Sequence, residues 1–193
     1  YQDRLIINMG YSYHYNSIGG AIINNTIASN SYSIRFNFES AGNIMYALSK
    51  ATNIRKNNDG EYAILGIPYA QYVKGEFDFS KNIRIDHRNS FAFHIGMGIA
   101  VPYGNAKTIP FEKQYFSGGA NSVRGWTVRD LGPGSFVRDE NTNLLDQSGD
   151  IKLDASIEYR SKLFWKFQGA IFVDAGNIWT IRDYDNQPGG VFK

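Results

Sequence analysis

The chain of 193 residues carries 20 Lys+Arg against 18 Asp+Glu for a net charge of +2, has no Cys, and is 15% aromatic with 13 Tyr, 13 Phe and 3 Trp. That length supports one domain with its own core, while the lack of cysteine removes disulfides, thiol nucleophiles, iron–sulfur clusters and Cys-ligated zinc. Scattered charge of both signs excludes the basic stripe of a nucleic-acid binder, and no stretch reaches the roughly 18 apolar residues of a spanning helix.

In chain order, Tyr1-Gln2-Asp3-Arg4 reads as the start of a strand and not as a signal peptide, so an exported protein would be represented here by a mature piece. From Leu5 to Tyr15 the residues Leu5, Ile7, Met9, Tyr11, Tyr13 and Tyr15 alternate with Asn8, Gly10, Ser12 and His14, a period of two. The same period sets Tyr32, Ile34, Phe36 and Phe38 against Ser33, Arg35, Asn37 and Glu39, then Val73, Gly75, Phe77 and Phe79 against Lys74, Glu76, Asp78 and Ser80. Phe91 to Val101 opposes Phe91, Phe93, Ile95, Met97 and Ile99 to Ala92, His94, Gly96, Gly98 and Ala100. Leu153, Ala155, Ile157 and Tyr159 oppose Lys152, Asp154, Ser156, Glu158 and Arg160, and finally Gly169, Ile171 and Val173 oppose Gln168, Ala170, Phe172 and Asp174. About six strands result, several of them about 10–12 residues long, which exceeds the usual strand of a soluble sandwich.

Their faces decide the class. One face is apolar and aromatic, while the other mixes charged residues with Gly, Ala, Ser and Asn. The pattern fits lipid on one side and a polar lumen on the other, with Tyr11, Tyr13, Tyr15, Phe77, Phe79 and Tyr159 as interfacial aromatics. The mean hydropathy of −0.37 is what averaging two such faces produces. A large soluble β-sheet protein that binds a ligand is the alternative, one that would need no detergent.

Three connections stand out. Arg84–Ser90 and Lys162–Lys166 hold short links of the kind found at the periplasmic end of a membrane barrel. Ala41–Ile64 is longer, with a short helix over Gly42–Lys50 and a turn at Lys56-Asn57-Asn58-Asp59-Gly60. Residues 102–149 are rich in Gly, Pro, Asn and Asp, and a loop of that length inside a compact fold is usually functional.

That loop contains Phe116-Ser117-Gly118-Gly119-Ala120-Asn121-Ser122-Val123-Arg124-Gly125-Trp126, followed by Leu131-Gly132-Pro133-Gly134. Gly118-Gly119 permits positive φ or close backbone approach, and Arg124 is a cation flanked by apolar groups, costly to remove from water without carboxylate partners. Glu158 and Asp174 lie on the polar face of the two strands that follow. Each has a plainer reading: Arg124 as an exposed loop arginine, Glu158 as a local partner of Arg160, and Asp174 as a strand-end acid before a turn at Gly176-Asn177.

The Phe116–Trp126 segment resembles the loop motif of the BamA/TamA superfamily of outer-membrane assembly and secretion barrels, the surface-antigen type domain. Gly169-Ala170-Ile171-Phe172-Val173-Asp174-Ala175-Gly176-Asn177-Ile178-Trp179 is similar to that family's signature in a late barrel strand, and Gly149-Asp150 leads into the strand between the two motifs. Pro68-Tyr69-Ala70-Gln71-Tyr72-Val73-Lys74, Pro110-Phe111 and Leu131-Gly132-Pro133-Gly134 look most similar to the TamL-type lipoprotein branch. The resemblance implies an all-β, antiparallel transmembrane barrel of sixteen strands, preceded by periplasmic POTRA domains. Residues 1–193 would be its C-terminal part, from about the eighth strand to the thirteenth and therefore incomplete, with 102–149 as an extracellular loop that folds back into the lumen. The arginine matching Arg124 would lock that loop to acids matching Glu158 and Asp174, with Gly118, Gly119, Gly125, Trp126 and Gly176 as the other motif positions. Implied partners are outer-membrane lipid, client outer-membrane or secreted proteins, and periplasmic assembly factors reached through POTRA domains, in the bacterial outer membrane. Within the family, a two-partner secretion transporter and a barrel joined to a patatin-like lipase remain as alternatives.

No catalytic residue, metal site or cofactor is read from the chain. It has no Gly-x-Ser-x-Gly elbow, Gly118-Gly119 lacks the Lys-Ser/Thr of a phosphate loop, and His14, His87 and His94 have no metal-ligand spacing.

Overall fold

The structure is a computed structural model, and it describes residues 3–17, 30–137 and 147–193. Tyr1 and Gln2 of the first strand reading, and 138–146 of the long connection, lie outside the described residues.

Six long strands form one antiparallel sheet: β1 (Asn8–Asn16), β2 (Asn30–Ala41), β5 (Tyr72–Arg84), β6 (Asn89–Pro102), β7 (Ile151–Lys162) and β8 (Gln168–Trp179), in the order β1-β2-β5-β6-β7-β8. Between β2 and β5 stand helix α1 (Asn43–Ala51) and a two-residue hairpin of β3 (Ala63–Ile64) and β4 (Ile67–Pro68). The alternating pattern of each segment reappears as one register across the whole sheet. One row runs Tyr13, Phe36, Phe77, Met97, Leu153, and the next runs Tyr15, Ile34, Phe79, Ile95, Ala155, Ala175. Between them, facing the other way, runs His14, Arg35, Asp78, Gly96, Asp154, Gly176. A slip of one residue in any strand would exchange the two faces, so the hydrophobic pattern specifies the register.

Burial is inverted relative to a water-soluble sheet. The core of Ala41, Ala70, Tyr72, Ala100, Ile109, Tyr115 and Ile178 includes the long loop's own side chains. It lies on the polar side of the sheet, while Met9, Tyr11, Phe36, Phe38, Ile95, Met97, Ile99, Ile157 and Val173 of the apolar side are exposed. An apolar surface running across the sheet, exposed on β1, β2, β6, β7 and β8 and half-buried on β5, marks a face made for something other than water.

Three boundaries differ from the sequence reading. Leu5 to Ile7 precede β1, because Leu5 instead forms a parallel bridge with Tyr69, donating its N–H to Pro68 and accepting from Ala70. Strand β8 does not stop at Asp174 but runs through Ala175-Gly176-Asn177 to Trp179. A Cβ on Gly176 would stand 2.9 Å from the Asp154 Cβ, so this glycine admits a close neighbour rather than a turn. The β3–β4 hairpin carries no periodic signal in so few residues.

Candidate functional site

The polar face of β5, β6, β7 and β8 receives the long loop. At its near end, Tyr115 exchanges two backbone hydrogen bonds of 2.8 Å with Gly149 and sends its ring across the sheet, where the hydroxyl donates to the Gly75 carbonyl at 3.2 Å. Gly98 is the seat of that ring, since a Cβ there would stand 2.6 Å from Tyr115 Cζ. Lys74 Nζ lies 4.3 Å over the same ring and donates to the Lys113 carbonyl, while Lys113 pairs with Glu39 at 2.8 Å. Burial and the nearby Glu76 carboxylate push the Tyr115 phenol well above its usual range, so it stays a neutral donor.

Beyond Tyr115 the backbone turns twice. Gly118 and Gly119 adopt φ of 95° and 89°, and a Cβ on Gly119 would meet Val128 Cγ2 at 2.6 Å. Both positions therefore need glycine. Gly119 N–H donates to the Trp126 carbonyl and Trp126 N–H to the Val123 carbonyl, which closes a hook with buried Val123 and Arg124 at its end.

Arg124 reaches the two acids that the strand pattern places on this face. Its backbone N–H and Nε both donate to Asp174 Oδ2, at 3.0 and 2.7 Å, and Nη2 donates to Asp174 Oδ1 at 2.7 Å. Nη1 donates to Glu158 Oε2, while Glu158 Oε1 accepts from Arg160 Nε at 2.6 Å. Glu158 faces Phe172 in the register and Asp174 faces Ser156, so the two carboxylates sit diagonally on adjacent strands and fit a planar fork. Side-chain exposure is 26% for Arg124 but 3% for Asp174. The paired carboxylates hold the guanidinium above its ordinary pKa, Asp174 contributing most, so it is a permanent cation.

The plainer readings of these residues do not describe the geometry, apart from the Arg160 contact, which Glu158 makes as well as that to Arg124. Gly125 and Trp126 stay outside the cluster: a Cβ on Gly125 would meet nothing, and Trp126 is exposed. Two contacts escape the motif reading. The Phe172 ring lies 3.6 Å beneath the Arg124 guanidinium carbon, and its signal was an aromatic on the polar side of an otherwise alternating strand. Arg129 is held at 4.5 and 4.7 Å from the rings of Phe111 and Phe116.

The second loop segment meets the second strand motif directly. Gly134 N–H donates to the Ile178 carbonyl at 2.7 Å, and Asn177 Nδ2 donates to the Gly134 carbonyl at 2.9 Å. Deeper on the same face, His94 stands 3.4 Å from Asp78 and 3.7 Å from Asp154. Among the described residues no three His, Asp or Glu side chains converge on a metal-sized site. A polar cavity of about 430 Å³ opens beneath the hook, lined by Ser33, Ser80, His94, Arg124 and Glu158 among others.

The model of the Omp85 superfamily domain matches residues 24–192. The chain belongs to the Omp85 superfamily. It is thus part of a bacterial outer-membrane β-barrel, its bare apolar face is the lipid face, and the soluble alternative falls away. This Omp85 chain is 35% identical over 99 residues to the outer membrane protein assembly factor BamA of Neisseria meningitidis serogroup B, a match covering 47% of this chain and 12% of that protein. Among solved structures it resembles BamA from Haemophilus ducreyi lacking POTRA domains 1-3, with a TM-score of 0.45 and 17% identity over 90% of this chain and 42% of that one.

Proposed function

We propose that this chain is wall and loop of a BamA/TamA-type factor that inserts or assembles other outer-membrane proteins, and that Arg124 is the lock holding the loop segment around it inside the lumen from the extracellular side. The observation that carries the proposal is the Arg124 fork, which commits every donor group of one loop residue to acids of two different strands. The assembly role of the Neisseria meningitidis relative supports the same reading. No bond is made or broken in this function. A client strand would pair with exposed backbone at a weakly closed seam elsewhere in the barrel, by β-augmentation, with periplasmic POTRA domains delivering it. The locked loop would keep this part of the wall in one shape while the seam opens.

The test is Arg124→Glu in the full-length protein. Charge reversal leaves three carboxylates together, so assembly of client barrels falls and proteinase K cuts the loop faster. Unchanged assembly with unchanged loop resistance would overturn the lock.

A further inference from the structure

The link between β7 and β8 places large apolar side chains where a tight turn ordinarily carries Asn, Asp or Gly. Leu163, Phe164, Trp165 and Phe167 are all exposed, Trp165 by 85%. They nevertheless form an ordered knob. The Phe164 and Phe167 rings lie 5.1 Å apart, the Trp165 and Phe167 rings 6.3 Å apart, and Lys166 Nζ stands 5.6 Å over Trp165. Hydrogen bonds from Leu163 to Phe167 at 3.0 Å and from Phe167 to Phe164 at 2.9 Å close the turn. Trp165 takes a φ of 51°, a left-handed conformation that a bulky residue adopts only at a cost.

Two observations say what covers the knob. The first is continuity: Leu163 Cδ1 lies 3.4 Å from where a Cβ on Gly169 would stand. Gly169 alternates in step with Ile171 and Val173, opposite Tyr159 and Ile157, so the turn continues the lipid face. The second is charge. The neighbouring turn is tied alongside, Lys162 N–H donating to the Arg88 carbonyl at 2.9 Å. Arg88 and Lys166 stand on the two turns themselves, where Asp86 is the one carboxylate, already accepting from the amides of Arg88 and Asn89. An apolar knob that prolongs a lipid face and carries an excess of cations is complementary to anionic headgroups over acyl chains.

We infer that the Leu163–Phe167 turn is an interfacial anchor seated among anionic phospholipids of the periplasmic leaflet. It rests on the barrel orientation proposed above, and on neither the Arg124 lock nor the assembly activity.

The experiment places the full-length protein in nanodiscs of phosphatidylethanolamine and phosphatidylglycerol, with one lipid at a time brominated near its headgroup. The emission that disappears in Trp165→Phe is followed. Brominated phosphatidylglycerol is expected to quench it more strongly than brominated phosphatidylethanolamine at equal mole fraction. Lys166→Gln should reduce that preference, by at most about 5-fold. Equal quenching by both lipids would overturn the anionic selection. Quenching by aqueous iodide alone would show a turn standing in water, and shielding from iodide and both lipids would show a protein cover; either overturns the anchor. Orientation is read separately from Trp165→Cys in cells treated with a membrane-impermeant maleimide. Labelling only after the outer membrane is permeabilised supports the periplasmic placement, and labelling of intact cells overturns it while the quenching still decides lipid contact.

Discussion

Asp174 and Glu158 do not share the Arg124 charge equally. Asp174 accepts from the backbone amide, Nε and Nη2, whereas Glu158 accepts from Nη1 and divides its carboxylate with Arg160. Asp174→Asn is therefore expected to loosen the loop more than Glu158→Gln, with a cost of about 1–3 kcal/mol for weakening hydrogen bonds to a charged group. Rates of loop cleavage by proteinase K in the two variants measure the order; equal rates would mean that the fork acts only through net charge. At the other end of the loop the decisive residue has no side chain. Gly98→Val puts atoms where the Tyr115 ring lies, and displacing that ring is expected to cost about 1–3 kcal/mol as overpacking, read as faster cleavage near Tyr115. Both effects depend on close approach, which is why composition alone does not announce them.

Among the elements, the short β5–β6 turn has a stability that should follow pH. Asn89 Nδ2 donates to Asp86 Oδ2 at 2.8 Å, and the Arg88 and Asn89 amides donate to Oδ1 at 2.7 and 2.9 Å. These bonds, the Asn89 side chain first, hold the Asp86 carboxyl below its ordinary pKa. A carboxylate depressed on folding stabilises the fold above the ordinary value near 4, and that contribution is lost as pH falls through the lower folded value. The amide protection factors of the turn, exchange rates corrected for the intrinsic effect of pH, should thus fall below about pH 4 in the parent, while Asp86→Ala should show the lower protection already at neutral pH. The strands themselves were legible in the chain because period two runs undisturbed through Phe91–Val101 and Leu153–Arg160. The course of β8 beyond Asp174 was legible only through the family resemblance, because Ala175-Gly176-Asn177 spells a turn in local propensity and only the neighbouring Asp154 explains the glycine. Arg124 and its acids were legible as a charge lacking local partners. Phe172 and Arg129 were not, since stacking on a ring leaves no fixed spacing.

At the scale of the whole molecule the two faces of the sheet obey opposite rules. Phe77 sits in mid-row on the lipid face, between Phe36 and Met97. Phe77→Arg is expected to destabilise the barrel by about 2–4 kcal/mol in a bilayer. Ser80→Arg, which lines the polar cavity, should be tolerated. Heat-modifiable migration of the full-length protein in detergent gels compares the two, and equal stability would contradict the lipid assignment of the apolar face.

The Arg124 fork also has a place in time. Its acceptors follow it in the chain by 34 and 50 residues, so the arginine is synthesised well before either acid and can be satisfied only after β7 and β8 lie side by side in register. Until then the loop carries a cation without its two carboxylate partners. The full fork thereby reports on its own scaffold: it can form only where β7 and β8 have paired in register.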